Sequence, residues 1–318
     1  MRRTPASVLA GVLILAAGAT SACSPPTDDV ETSSQSSIFA GATFVVGSKD
    51  FTESILLGQI TMQMLKANGA TVVDKTNIKG SVTTREALTS SQIDLYWEYT
   101  GTGWISYLKN TKPIPDPQQQ FDAVAKDDLA KNQVVWSDRA PLNNTYAMAI
   151  RKDKAGSLGV KSLSDVARIA KEKPAEATFC IESEFSTRDD GMPGMLAAYG
   201  IDVPKDNIKM LETGVIYTET AKGSTCNFGE VFATDGRISP LNLVVLADDK
   251  NFFPVYNAAL TMRQETSTKY PKIAELLAPV AQKLTTETMQ KLNAEVDNKG
   301  LEPADVVKQW LTDEKFLQ

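Results

Sequence analysis

Ser90-Ser91-Gln92-Ile93-Asp94-Leu95-Tyr96-Trp97-Glu98-Tyr99 lies over Gly223-Ser224-Thr225-Cys226-Asn227-Phe228-Gly229-Glu230-Val231-Phe232, and this overlay decides the fold. Each segment runs from a polar turn into a short stretch of aromatic and aliphatic residues, the composition of a buried strand. Each ends on a ring, Tyr99 in the first and Phe232 in the second, and in the helical stretch before each strand Thr84 falls opposite Tyr217. A second pair behaves the same way: Thr145-Tyr146-Ala147-Met148-Ala149-Ile150 resembles Val255-Tyr256-Asn257-Ala258-Ala259-Leu260. Identity within the pairs is low, so the match is an echo of architecture and not a proven repeat.

Working outward, short β-rich runs alternate with helical ones. Thr43-Phe44-Val45-Val46-Gly47 reads as a strand, and Thr52 to Asn68 follows with helical spacing at Ile55, Leu56, Ile60, Met64 and Leu65. Residues 83–90, 101–108 and 116–132 read as helices, 93–99 and 146–151 as strands. The order recurs: a strand at 178–181, a polar loop through Arg188, helices at 192–199 and 214–221, and a strand at 226–233. Such alternation indicates an α/β fold with mostly parallel sheets. Two similar units with a helical tail returning to the first form a clamshell: lobe 1 at 42–144 and 236–318, lobe 2 at 145–235. Ligands of such sheets bind beyond the carboxyl ends of the strands, which face the cleft in a two-lobed protein.

The chain has 318 residues, 33 basic and 39 acidic, and no histidine. The acidic balance argues against a nucleic-acid partner, since phosphate binding needs a basic surface. Without histidine the usual general base and commonest metal ligand are missing, and neither metal nor cofactor is expected. Arg2 and Arg3 precede an apolar, small-residue run and then Ser21-Ala22-Cys23, which reads as a lipoprotein signal peptide over 1–22 with lipidation at Cys23. Thr20 departs from the aliphatic residue usual in a lipobox, and a plain secretory leader is the alternative. Residues 23–41, rich in Ser, Thr, Asp and Pro, read as a flexible tether. The expected location is extracytoplasmic, anchored by lipid to the outer face of the cytoplasmic membrane. Cys180 and Cys226 remain, each at the start of an expected strand; in an oxidising compartment they read as a disulfide, with two free thiols as the alternative.

The strand ends supply a coherent chemistry. Lys49 follows the first strand, Tyr99 and Thr102 follow the 93–99 strand, and Asn144 and Tyr146 sit at the first crossover. Arg188, Tyr217 and Phe232 come from the second lobe. Ring faces suit a quaternary ammonium, whose diffuse charge needs no hydrogen bond. Lys49 and Arg188 suit a carboxylate, the one as a point charge and the other as a fork. A zwitterion satisfies both halves, whereas a bare cation would leave two positive side chains without a partner. Glu98 alternates away from Tyr99, toward solvent or a salt bridge. Tyr96, Trp97, Trp104 and Tyr256 read as structural.

Gly47-Ser48-Lys49-Asp50-Phe51-Thr52-Glu53, Trp97-Glu98-Tyr99-Thr100-Gly101-Thr102, Asn144-Thr145-Tyr146-Ala147-Met148-Ala149 and Phe185-Ser186-Thr187-Arg188-Asp189-Asp190-Gly191-Met192-Pro193-Gly194 together resemble the glycine betaine/carnitine/choline-binding proteins of osmoprotectant ABC transporters. The resemblance runs from about Thr43 to the C-terminus. It implies a type II periplasmic-binding-protein fold with the ligand between the lobes, no catalysis, and a monomer that delivers solute to a membrane permease driven by a separate ATPase. It also implies cage rings at Tyr99, Tyr146 and Tyr217, carboxylate contacts at Lys49, Thr102 and Arg188, and Asn144 lining the cage. The fourth cage position, commonly Tyr, is Phe232. The expected ligand is glycine betaine, with carnitine or proline betaine also possible to accommodate. Competing expectations are a choline-preferring protein, a sensor ectodomain uncoupled from import, and an exported enzyme acting on small amines.

Overall fold

Thr43–Lys49 (β1) opens a five-stranded sheet in a computed structural model whose described residues are 37–318. The expected leader, Cys23 and most of the expected tether lie outside those residues. The strands that follow are Thr71–Ile78 (β2), Leu95–Tyr99 (β3), Val134–Arg139 (β4) and Tyr146–Arg151 (β5). After these come Phe179–Ile181 (β6), Ile208–Met210 (β7), Phe228–Phe232 (β8), Leu243–Val245 (β9) and Ala258–Arg263 (β10). They form two sheets, ordered β2-β1-β3-β10-β4 and β7-β6-β8-β5-β9. The α/β class and the two-sheet clamshell expected from the alternation are what is observed, but the sheets are mixed where mostly parallel ones were expected, because β10 and β5 each run antiparallel to both of their neighbours.

The overlay that suggested two lobes has a structural basis. β3 and β8 hold the same central rank in their sheets, each with a parallel neighbour on one side and an antiparallel one on the other. In both sheets the antiparallel strand comes from beyond a crossover. β10 returns to pair with β3 (Leu260 opposite Trp97), and β5 pairs with β8 (Tyr146 opposite Phe232). All five residues of β3 are buried, so Leu, Tyr, Trp, Glu and Tyr must each find apolar or hydrogen-bonding neighbours inside.

Two boundaries differ from expectation. The second lobe does not end at 235, because β9 adds to the edge of its sheet through Val245, Val244 and Leu243 opposite Ala149, Ile150 and Arg151. The return crossover therefore lies between β9 and β10. A three-residue edge strand carries too little periodicity to be read locally. The tether also ends earlier than 41: Phe39 is buried, and its ring meets Phe44 edge-on at 5.6 Å. β2 escaped the sequence reading because it is an edge strand, with five of its eight residues exposed.

Two helices position the cleft. Thr52–Ala67 (α1) buries Leu56, Leu57, Ile60, Met64 and Leu65 against the first sheet. Ser81–Thr89 (α2) starts after Gly80, a residue with φ of 83° and no side chain to cap the helix. The expected helix at 101–108 is a single turn followed by a π-helix, Gly103–Tyr107. In the second lobe Cys180 and Cys226 are joined by a disulfide with Cα atoms 5.7 Å apart, tying β6 to the segment entering β8. No described helix is long and apolar enough to cross a membrane.

Candidate functional site

The carboxyl ends of β1, β3 and β8 and the start of β5 converge on one cavity. Its walls include Lys49, Phe51, Tyr99, Thr102, Asn144, Tyr146, Glu184, Phe232 and Tyr256, and its empty space, open mouth included, is about 560 Å³. Four rings surround it. Phe51 stacks on Phe232 with centroids 5.1 Å apart, Tyr99 lies 5.9 Å from Phe51, and Tyr146 lies 5.3 Å from Phe232.

Of the eight binding residues expected from sequence, six line this cavity: Lys49, Tyr99, Thr102, Asn144, Tyr146 and Phe232. Tyr217 does not. It is fully buried behind Phe232, its hydroxyl accepting the Phe232 N–H at 2.9 Å and its ring lying 4.2 Å from the Arg237 guanidinium carbon. The helix carrying Tyr217 packs beneath the sheet, so the hydroxyl fixes the backbone of the cage instead of adding a ring to it. Phe51 provides the fourth ring. Its place between the end of β1 and the start of α1 is the sequence signal that marks it.

Arg188 is also held back from the wall. Its Nε and Nη2 donate to the two oxygens of Asp190 at 2.7 and 2.6 Å, and Nη1 donates to Glu184 Oε1 at 2.8 Å. Its guanidinium lies 5.4 Å from the Tyr146 ring centre, and Nη2 approaches the Thr102 hydroxyl at 3.5 Å. Lys49 likewise has a partner, donating to Glu98 Oε1 at 2.6 Å while sitting 5.2 Å from the Tyr99 ring centre. The expectation of two positive side chains awaiting a carboxylate is therefore corrected: each is already paired inside the protein.

Glu98 is the hub of the first pairing, and it points to neither solvent nor the cage. It is fully buried and accepts from Lys49, from the Tyr96 hydroxyl at 2.8 Å and from the Tyr107 hydroxyl at 2.6 Å. The π-helix brings Tyr107 into reach of both Glu98 and the Ser81 carbonyl. Tyr256, expected to be purely structural, lines the cavity and donates to Asp190 Oδ2 at 2.6 Å. Gly101 makes room for it, since a Cβ there would stand 2.6 Å from the Tyr256 ring.

Behind Tyr99 lies a further acid. Glu53 is buried and accepts from the Tyr99 hydroxyl at 2.8 Å. Burial pushes its carboxyl up, against hydrogen bonds from Tyr99 and Asn293 that pull it down. Glu184 moves the other way. Burial would raise it, but the charges of Lys49 and Arg188 and the Ser81 N–H hold it down at about 2. Around the cavity, then, stand two bases, Lys49 and Arg188, against the acids Glu98, Asp190 and Glu184, with Asp50 and Glu182 also on the wall.

A family model described as the substrate-binding domain of the ABC-type glycine betaine transport system matches residues 42–313. The glycine-betaine-binding protein of Pseudomonas aeruginosa is 36% identical over 280 residues, covering 86% of this chain and 89% of the relative. The chain belongs to this family. It is thus an extracytoplasmic solute-binding subunit of an ABC importer, serves a permease and carries out no catalysis. The solved structure of apo YehZ from Escherichia coli shares the fold of this binding protein, with a TM-score of 0.64 and 31% identity over 87% of this chain and all of that one. An ergothioneine transport permease/ergothioneine binding protein of Helicobacter pylori is 31% identical over 268 residues, 84% of this chain and 47% of the relative.

Proposed function

We propose that the cleft captures a quaternary-ammonium compatible solute, glycine betaine first, with carnitine and proline betaine as further ligands. The observation that carries this reading is the set of four rings, Phe51, Tyr99, Tyr146 and Phe232, around one cavity with Lys49 on its wall. A methylated ammonium cannot donate a hydrogen bond, so ring faces are its natural partners, each contributing about 0.5–2 kcal/mol as water is excluded. Lys49 spends one of its three protons on Glu98 and keeps two for a ligand carboxylate, and Thr102 lines the same cavity. Asn144 lines the cavity with its Oδ1 buried and unpartnered, an acceptor left for the ligand or its water. Arg188 joins the carboxylate contacts when its internal partners give way. Tyr217 supports the cage from behind.

A choline-type ligand is the second reading, and a specific observation favours it. Both bases are already paired and the surrounding acids outnumber them, a balance suited to a net cation.

Binding closes the lobes about the two crossovers, because a ligand that touches both lobes only when they are shut shifts the population toward closure. The closed protein, a monomer tethered by a lipid on Cys23, docks on its permease, and a separate ATPase drives transport. Calorimetry with glycine betaine, proline betaine, carnitine, choline, ergothioneine and ectoine tests the reading. At least one trimethylammonium or dimethylammonium ligand is expected to bind with ectoine weaker. Binding of ectoine alone, or of none of them, refutes it.

A further inference from the structure

Glu184 stands where a ligand's carboxylate would be most useful. Its Oε1 accepts from Arg188 Nη1 at 2.8 Å within the second lobe, and its Oε2 accepts from the Ser81 N–H at 2.8 Å in the first. Ser81 is the first residue of α2, and Gly80 before it has no side chain to cap the helix. A free helix N-terminus attracts anions through unpaired N–H groups and its dipole. Here the anion arrives from the opposite lobe. The Nε and Nη2 of Arg188 go to Asp190, with Nη2 also 3.5 Å from the Thr102 hydroxyl, and Glu184 is the one of its two carboxylate partners that lies on the cavity wall. With its carboxyl held at about 2, Glu184 stays ionised at physiological pH. A salt bridge serving only the local loop would not need the second oxygen to reach another lobe.

We propose that Glu184 is a resident counter-carboxylate that sets the charge selectivity of the cleft. It bridges the Arg188 guanidinium and the α2 N-terminus. A ligand's carboxylate reaches Arg188 only by displacing it, whereas a quaternary cation binds with it in place. Glu184 therefore lowers the affinity for a zwitterion relative to a cation, without setting which of the two binds more tightly, and its loss frees both a guanidinium arm and a helix N-terminus for a zwitterion. This inference rests on the quaternary-ammonium reading above for its ligand class, while the bridge itself does not.

The test compares choline and glycine betaine, which share a trimethylammonium and differ in the carboxylate, by calorimetry on the wild-type chain and on Glu184→Gln. Thermal melting checks that the variant is folded. The betaine-to-choline affinity ratio is expected to rise at least fivefold in the variant. A smaller rise, no change or a fall overturns the selectivity role. Small-angle scattering of the ligand-free proteins reads the bridge independently: Glu184→Gln and Glu184→Ala are expected to shift toward a more open form with a larger radius of gyration. Radii equal to wild type overturn the bridge. If the wild-type chain binds neither ligand, the quaternary-ammonium reading and the selectivity role fall together, and the scattering result still decides whether Glu184 joins the lobes.

Discussion

Replacing Phe51 by alanine removes one wall of the cavity and asks whether the fourth ring is the one the structure places there. Phe51 stacks on Phe232 at 5.1 Å and lies 5.9 Å from Tyr99, so its loss exposes one side of the ring cluster to water. One ring face is worth about 0.5–2 kcal/mol to a quaternary ammonium, the upper end applying where water is excluded. At 1.4 kcal/mol per tenfold, affinity should fall by roughly 2- to 30-fold. Phe51→Leu separates the two contributions of the side chain, since leucine keeps much of the apolar bulk but has no π face. Isothermal titration with glycine betaine or choline is the assay, run beside a urea melt to show that both variants are folded. Alanine is expected to weaken binding toward the upper end of that range, and leucine to recover only part of the loss. A leucine variant as tight as wild type would mean that Phe51 merely fills space, and the four-ring cage would be wrong.

Tyr217→Phe tests the other half of the same correction: ligand affinity should change by less than twofold, while stability falls by about 1–3 kcal/mol because the buried Phe232 N–H loses its acceptor. A large loss of affinity at unchanged stability would restore Tyr217 to the cage. Glu98→Ala leaves Lys49 buried without its counter-ion, a change expected to cost about 3–5 kcal/mol in urea unfolding; a loss under 1 kcal/mol would refute the hub role. Burial pushes the Glu230 carboxyl up to about 8, against a hydrogen bond from the Glu182 N–H that pulls it down. The folded state then keeps a proton that the unfolded chain releases near the ordinary carboxyl value of 4.5, so this group's contribution is full below about 4.5 and is lost as pH rises toward 8. Glu230→Gln should flatten that decline in urea stability between pH 5 and 8, and an unchanged slope would count against it.

Much of the architecture was readable along the chain because it repeats. The two segments ending in Tyr99 and Phe232 became β3 and β8, strands of equal rank in two sheets, and the helical spacing of Leu56, Ile60 and Leu65 became the buried face of α1. Buried central strands and amphipathic helices write their burial into their own composition. β2, β7 and β9 lie at sheet edges, where exposure or shortness erases the pattern. That is why the return crossover was placed at 236 instead of after β9.

The sequence by itself determined the α/β class, the two lobes, the family and six of the cavity's lining residues, since strand ends in such a fold face the cleft whatever their neighbours are. The charge pairing at the site depends on long-range contacts that appear only once the chain is folded. Lys49 meets Glu98 from 49 positions away, and Ser81 meets Glu184 across the cleft from 103 positions away. Such pairings depend on how two sheets are set against each other, and no local pattern of residues encodes that distance. The same is true of the rings: Tyr217 and Phe51 differ in role because one packs under the second sheet and the other stands just beyond the carboxyl end of β1.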